Sequence, residues 1–187
     1  NESDFLVPAP HDALSTRRIL AMDYIPGRPI ETLESESQGI RDRAMTALLG
    51  LVLRELFAFG YMQTDPNFAN YRWQTESGKL VLLDFGAARP IPPATVAAYT
   101  RLMAAGLAGD HVALRDALVE NAFISEMSLA RHRPAMDAMI NVLIEHLGQG
   151  GEFDFSDRSF VEQLRRHGET IFADKEAWHI PPADTLF

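Results

Sequence analysis

The sequence predicts an α+β fold that is mostly helical, with one small β-hairpin near the middle of the chain. Three observations carry this. The segment from about Ser37 to Phe59 keeps apolar residues on well over half of a helical circumference and stops at Gly60. Tyr71-Arg72-Trp73-Gln74 and Lys79-Leu80-Val81-Leu82-Leu83 flank Thr75-Glu76-Ser77-Gly78, a hairpin signature. After Pro90 and Pro92-Pro93 the pattern turns helical in four successive stretches.

In chain order, Arg18 to Ile25 is a short apolar run stopped by Pro26-Gly27, which reads as a strand and a turn. The segment from Ser37 to Phe59 reads as a long, deeply buried helix with a glycine cap. Tyr61 to Thr64 is a brief extended piece entering a loop at Asp65, where Pro66 prevents an immediate helix. Beyond the hairpin, helices are expected over Ala94 to Leu107, His111 to Glu120, Ser128 to Leu147 and Ser159 to Ala173. Met127, Met136 and Met139 fall at core spacing, Phe153 and Phe155 pack under an acidic, Gly-rich loop, and Trp178 to Phe187 reads as extended.

At 187 residues and 47% hydrophobic, the chain can bury one good core. A net charge of −9 argues against nucleic acid, because a phosphate-tracking surface needs clustered Lys and Arg. The short runs at Arg17-Arg18, Arg131 to Arg133 and Arg165-Arg166 read as solvated helix faces. With no cysteine, disulfides, thiolate nucleophiles and Cys-ligated zinc are excluded, and a reducing cytoplasm is compatible. The six histidines lack metal-ligand spacing, and no Gly-x-Ser-x-Gly elbow occurs. Residues 1–4 are polar and acidic, unlike a signal peptide, and no apolar run reaches the roughly 18 residues of a membrane span. The abrupt start without Met fits a segment excised from a longer protein.

Two segments carry the chemistry: Gln63-Thr64-Asp65-Pro66-Asn67-Phe68-Ala69-Asn70 and Asp84-Phe85-Gly86. They place an Asp, an Asn five residues on, and an Asp-Phe-Gly fourteen residues after that Asn. This is the order and spacing of the catalytic loop and metal-binding turn of protein-kinase-like phosphotransferases. Hard oxygen donors must hold Mg²⁺ against nucleotide phosphates, while a separate carboxylate faces the nucleophile. Each part alone has a plainer reading: Asp65 as a turn cap before Pro66, Asp84 as a capped turn before Gly86, and Asn67 as a turn former. Together, at strand ends on either side of a hairpin, they favour the chemistry. No glycine-rich phosphate loop and no Val-Ala-Ile-Lys-like strand precede them, so half of an active site is expected.

Thr64-Asp65-Pro66-Asn67-Phe68-Ala69-Asn70, followed by Leu82-Leu83-Asp84-Phe85-Gly86-Ala87-Ala88-Arg89, resembles the UbiB/ADCK family of atypical kinase-like proteins of ubiquinone biosynthesis. Ala21-Met22-Asp23-Tyr24-Ile25-Pro26-Gly27-Arg28-Pro29-Ile30 is similar to that family's linker between lobes, and Ile180 to Phe187 to a stretch near its C-terminal end. The resemblance implies a protein-kinase-like C-terminal lobe over residues 37–187, with residues 1–36 as the end of the N-lobe, hinge and linker. It implies Asp65 as catalytic base and Asn70 and Asp84 as Mg²⁺ ligands. Met22, Asp23, Tyr24 and Ile25 would be the adenine-facing hinge, with hydrogen bonds from the backbone of Asp23 and Ile25. Pro66, Phe85, Gly86 and Arg89 would support the loops, Arg89 either contacting phosphate or, the favoured role, pinning the Asp84 turn.

The implied cofactors are ATP and Mg²⁺, and the implied partners are quinone-biosynthesis proteins or a lipid-like quinone precursor at a membrane surface. Gln63 stands where the family usually has His, which removes a titratable group from the loop. The family's Lys-x-Gly-Gln segment, Ala-rich nucleotide loop and phosphate-pairing Lys have no counterpart in these residues, so this segment alone is expected to be inactive. Self-association is expected through apolar surface around Ile19 to Ile25 and Val81 to Phe85. Two rival readings are a small-molecule kinase of the aminoglycoside or choline type, and a nucleotide-binding pseudokinase module.

Overall fold

The computed structural model describes residues 4–65, 67–148 and 157–174. The expectations for Pro66, Phe153, Phe155 and the tail from Trp178 lie outside the described residues. The chain divides into two compact units, Asn1–Ile91 and Pro92–Phe187.

In the first unit the alternation at the hairpin is realised as β4 (Tyr71–Gln74) and β5 (Lys79–Leu82), paired with Tyr71 opposite Leu82 and Trp73 opposite Leu80. Gly78 closes the turn at φ +63°, a left-handed conformation that a side chain would strain, and a Cβ there would lie 2.8 Å from the Arg43 guanidinium. β1 (Phe5–Leu6) adds in parallel to β5 and β2 (Arg28–Pro29) antiparallel to β4, giving the order β1-β5-β4-β2. A second, two-stranded sheet joins β3 (Tyr61–Gln63) to β6 (Ala88–Pro90). Helix α1 (Gln38–Arg54) lays Ala44, Ala47 and Leu51 on a core with Ile30, Leu33, Trp73, Leu80 and Leu82.

Three expectations for this unit are corrected. Arg18 to Ile25 is not a strand. Thr16 turns the chain back by accepting the N–H groups of Arg18 and Ile19, leaving only isolated bridges, Thr16 to Ile19 and Pro10 to Met22. Helix α1 is not deeply buried: one stripe packs, while Met45, Leu49, Val52 and Leu53 are 39–45% exposed. The expected apolar surface at Val81 to Phe85 is likewise half wrong. Val81 and Leu82 are buried in the sheet at 0% and 6% exposure, whereas Phe85, Ile19, Leu20 and Tyr24 do face solvent.

The second unit is helical: α2 (Pro93–Leu107), α3 (His111–Glu120), α4 (Glu126–Arg131), α5 (Arg133–Gly148) and α6 (Ser159–Phe172). The single helix expected over Ser128 to Leu147 is two, because Pro134 lacks an N–H and sits where a helix begins rather than continues. Asp110 caps α3 through the N–H groups of Val112 and Ala113. Ala105, Leu114, Ile124, Met136, Ile140 and Ile171 form the core, with Met139 packed against it, while Met127 is 69% exposed rather than core. Among the described residues no helix is long and apolar enough to cross a membrane.

Candidate active site

The site lies within the first unit and is built from the end of α1 onward. After Arg54 the helix widens into a π turn, Glu55–Phe59, closed by Gly60 in the left-handed region at φ +64°, as its glycine cap predicts. The chain then enters β3, whose partner β6 sets Tyr61 opposite Pro90, Met62 opposite Arg89 and Gln63 opposite Ala88. That register lays residues 63–65 beside residues 84–88.

Side chains then sew the two segments together. The Thr64 N–H and hydroxyl both donate to the Ala87 carbonyl, at 3.3 and 2.7 Å. Gln63 Nε2 donates to the Asp84 carbonyl at 2.7 Å, while its Oε1 has a long 3.5 Å contact with the Asp65 N–H. On the other side of the loop, the Leu83 N–H donates to the Asn70 carbonyl at 3.1 Å, extending the hairpin ladder one step and bringing Asn70 beside the residue before Asp84. Asn67 takes the turn role expected of it, its Oδ1 accepting from the Ala69 N–H.

The backbones of Asp65, Asn70 and Asp84 are therefore gathered around one hairpin end. Asp65 and Asp84 are exposed and Asn70 is half-buried. Asp84 Oδ1 accepts from the Gly86 N–H at 2.7 Å, so the capped turn read as the plainer alternative is present and uses one carboxylate oxygen. Among the described residues, Asp84 Oδ2 and the side chains of Asp65 and Asn70 make no hydrogen bond or ion pair.

These donors suit a hard cation. Among the described residues no trio of His, Asp or Glu could hold an ion alone. Magnesium, however, is usually bound by one or two side-chain oxygens together with waters and phosphates, and Asn70 and Asp84 fit that division.

The other candidates fall as follows. Phe85 is 49% exposed, Gly86 is exposed, and a Cβ on Gly86 would sit 3.1 Å from Asp84 Oδ1. Arg89 has an exposed side chain and pairs with no described carboxylate; Gln63 and Thr64 hold the turn in its place. In the hinge segment the Asp23 N–H donates to the Ala9 carbonyl at 2.9 Å, and its carboxylate pairs with His11 at 2.7 Å. The Asp23 carbonyl and Ile25 N–H meet no described partner, leaving one acceptor and one donor for a planar base. Met22 and Tyr24 are solvent-facing, Tyr24 at 87% exposure.

Two residues that the sequence reading passed over belong to the neighbourhood. Glu55 is half-buried and accepts the Gln63 N–H at 3.2 Å; burial pushes its carboxyl upward, and that bond partly offsets the push. The Tyr71 phenol is also pushed up, first by burial and then by the charges of Glu55 and Asp65. The available signal was a lone carboxylate in the apolar stretch between Leu51 and Phe59.

Comparison with known proteins gives the family of the chain. The ABC1 atypical kinase-like domain matches residues 1–118. The chain is 31% identical to the mitochondrial atypical kinase COQ8B of Danio rerio over 86% of its own length and 26% of that protein's. It is 34% identical to the COQ8B of Rattus norvegicus over 81% of its length and 29% of that protein's. To the mitochondrial atypical kinase COQ8 of Saccharomyces cerevisiae it is 28% identical, over 86% and 32% respectively. The chain thus spans about a quarter to a third of the relatives it matches. With the domain match covering more than half of its residues, the chain belongs to the ABC1 atypical kinase-like family, to which its catalytic-loop and Asp-Phe-Gly segments point.

Proposed function

We propose that this chain supplies the catalytic-loop and metal-turn half of an ATP- and Mg²⁺-dependent atypical kinase or ATPase that supports ubiquinone biosynthesis. Asn70 and Asp84 would hold the metal, which when bound neutralises charge on the nucleotide phosphates. Asp65, exposed and unpaired, would orient or deprotonate the nucleophile. The Asp23 carbonyl and Ile25 N–H would read the adenine edge. The proposed place of action is the aqueous side of a quinone-bearing membrane, which covers both the cytoplasm expected from the sequence and the mitochondrial names of the relatives.

The observation that carries the reading is the convergence of Asp65, Asn70 and Asp84 by backbone and side-chain bonds, with oxygens left over to bind. Calorimetric titration of Mg²⁺-ATP into the chain and its Asp84→Asn variant tests this. Binding to the parent that is lost in the variant supports the assignment. Equal binding by both, or none by either, overturns the claim that this half-site holds the metal-nucleotide.

A further inference from the structure

We propose that Glu55 and Gln63 are a positioning pair that fixes the spacing between the Asp65 loop and the Asp84 turn; this deepens the function proposed above and rests on it. The pair begins in the π turn, where the widened helix leaves the Glu55 carboxylate half-buried with no cationic partner among the described residues. An uncompensated charge in that position is costly, and a helix end gains nothing from it unless it holds something. What Glu55 holds is the Gln63 N–H, at 3.2 Å.

Gln63 in turn spans the site with one side chain. Its amide nitrogen is bonded to the Asp84 carbonyl at 2.7 Å and its amide oxygen faces the Asp65 N–H at 3.5 Å. No other described side chain bonds to the backbone of both acidic residues. With Glu55 fixing its backbone, Gln63 cannot slide along β3, so displacement of one acidic loop is passed to the other. The charge of Glu55 also reaches the space beside Asp65, since Tyr71 feels both.

The test compares Gln63→Met, Gln63→His and Glu55→Gln with the parent, reading amide hydrogen exchange at Thr64, Ala88 and Leu80 and the affinity for Mg²⁺-ATP. Methionine keeps the shape and loses the donor, so exchange at Thr64 and Ala88 speeds up about tenfold and Mg²⁺-ATP binding weakens about tenfold. Leu80, bonded to the Asp4 carbonyl at 2.9 Å in the other sheet, stays protected, which separates positioning from general loosening. Histidine returns an N–H donor and recovers most of both effects. Glu55→Gln keeps an acceptor for the Gln63 N–H and stays near the parent, whereas Glu55→Leu behaves like Gln63→Met.

In the Glu55→Leu/Gln63→Met double variant the losses do not add. Unchanged exchange in Gln63→Met, a uniform rise that includes Leu80, or full additivity overturns the pair. Should Glu55→Leu fail to fold, the two Gln63 variants decide alone. A parent that binds no Mg²⁺-ATP overturns the proposed function, while the exchange results still decide whether the pair exists.

Discussion

The two acidic turns of the site are held in opposite ways. Asp84 is fixed at both ends: Gln63 holds its carbonyl, and its own Oδ1 is bonded to the Gly86 N–H. Asp65 has one long contact at its N–H and a carboxylate with no described partner. The difference suits the division of labour proposed above for Asp84 and Asp65. A metal ligand must be in place before the ion arrives, whereas a group that meets an incoming nucleophile needs reach more than rigidity. The Asp itself does not make this distinction, because the same residue type heads both turns. The neighbours make it, with Gly86 free of a Cβ and Gln63 long enough to cross.

The contrast can be broken most sharply at the carboxylates. Asp84→Asn keeps an acceptor for Gly86 but loses the charge, and it should weaken Mg²⁺-dependent nucleotide binding by about a hundredfold in calorimetry. Asp65→Asn should leave that affinity within about threefold, because the nucleophile side contributes little to ground-state binding. Equal losses would erase the distinction.

Next in size, Leu80→Ala should destabilise the hairpin that carries both turns by about 3 kcal/mol in urea unfolding, since its side chain is wholly buried. Gly60→Ala should cost about 1 kcal/mol in the same assay. The space where its Cβ would go is open, so the cost is the left-handed backbone alone.

The smallest effect sharpens the role of Glu55. Its folded carboxyl titrates above the ordinary 4.5, so the folded state holds that proton more tightly than the unfolded chain. The resulting stability is full below pH 4.5 and is lost as pH rises through the folded value. Glu55→Gln should therefore gain stability over the parent near neutral pH and show little difference in acid, measured by thermal unfolding across that range.

Much of this was legible in the chain. The hairpin, the glycine cap at Gly60 and the helices from Pro93 onward follow from periodicity and punctuation, which are local. One local signal was missed, the break at Pro134 that divides α4 from α5; the other failures are of what needs a partner. Arg18 to Ile25 has strand composition, but no neighbouring strand runs beside it for more than single bridges. Helix α1 is apolar over well over half of its circumference, and the sequence could not say that only the Ala44-Ala47-Leu51 stripe would meet the sheet. At the site, the spacing of Asp65, Asn70 and Asp84 was readable, whereas Glu55 and Gln63 act through bonds across 8 and 21 residues, which no local pattern announces.

The buried positions along the last turns of that helix are Ala44, Ala47, Leu51 and Leu56, steps of three, four and then five residues. The fifth residue is the π turn seen as arithmetic: one unit more than an α-helix would place there. Losing it would rotate everything downstream by about 100° relative to the packed stripe. Deleting Val52 or Leu53 would remove no chemistry, yet it would deliver β3 with Gln63 turned away from Asp84. In this stretch the chain carries information in its length, and a change of count is more damaging there than a change of kind.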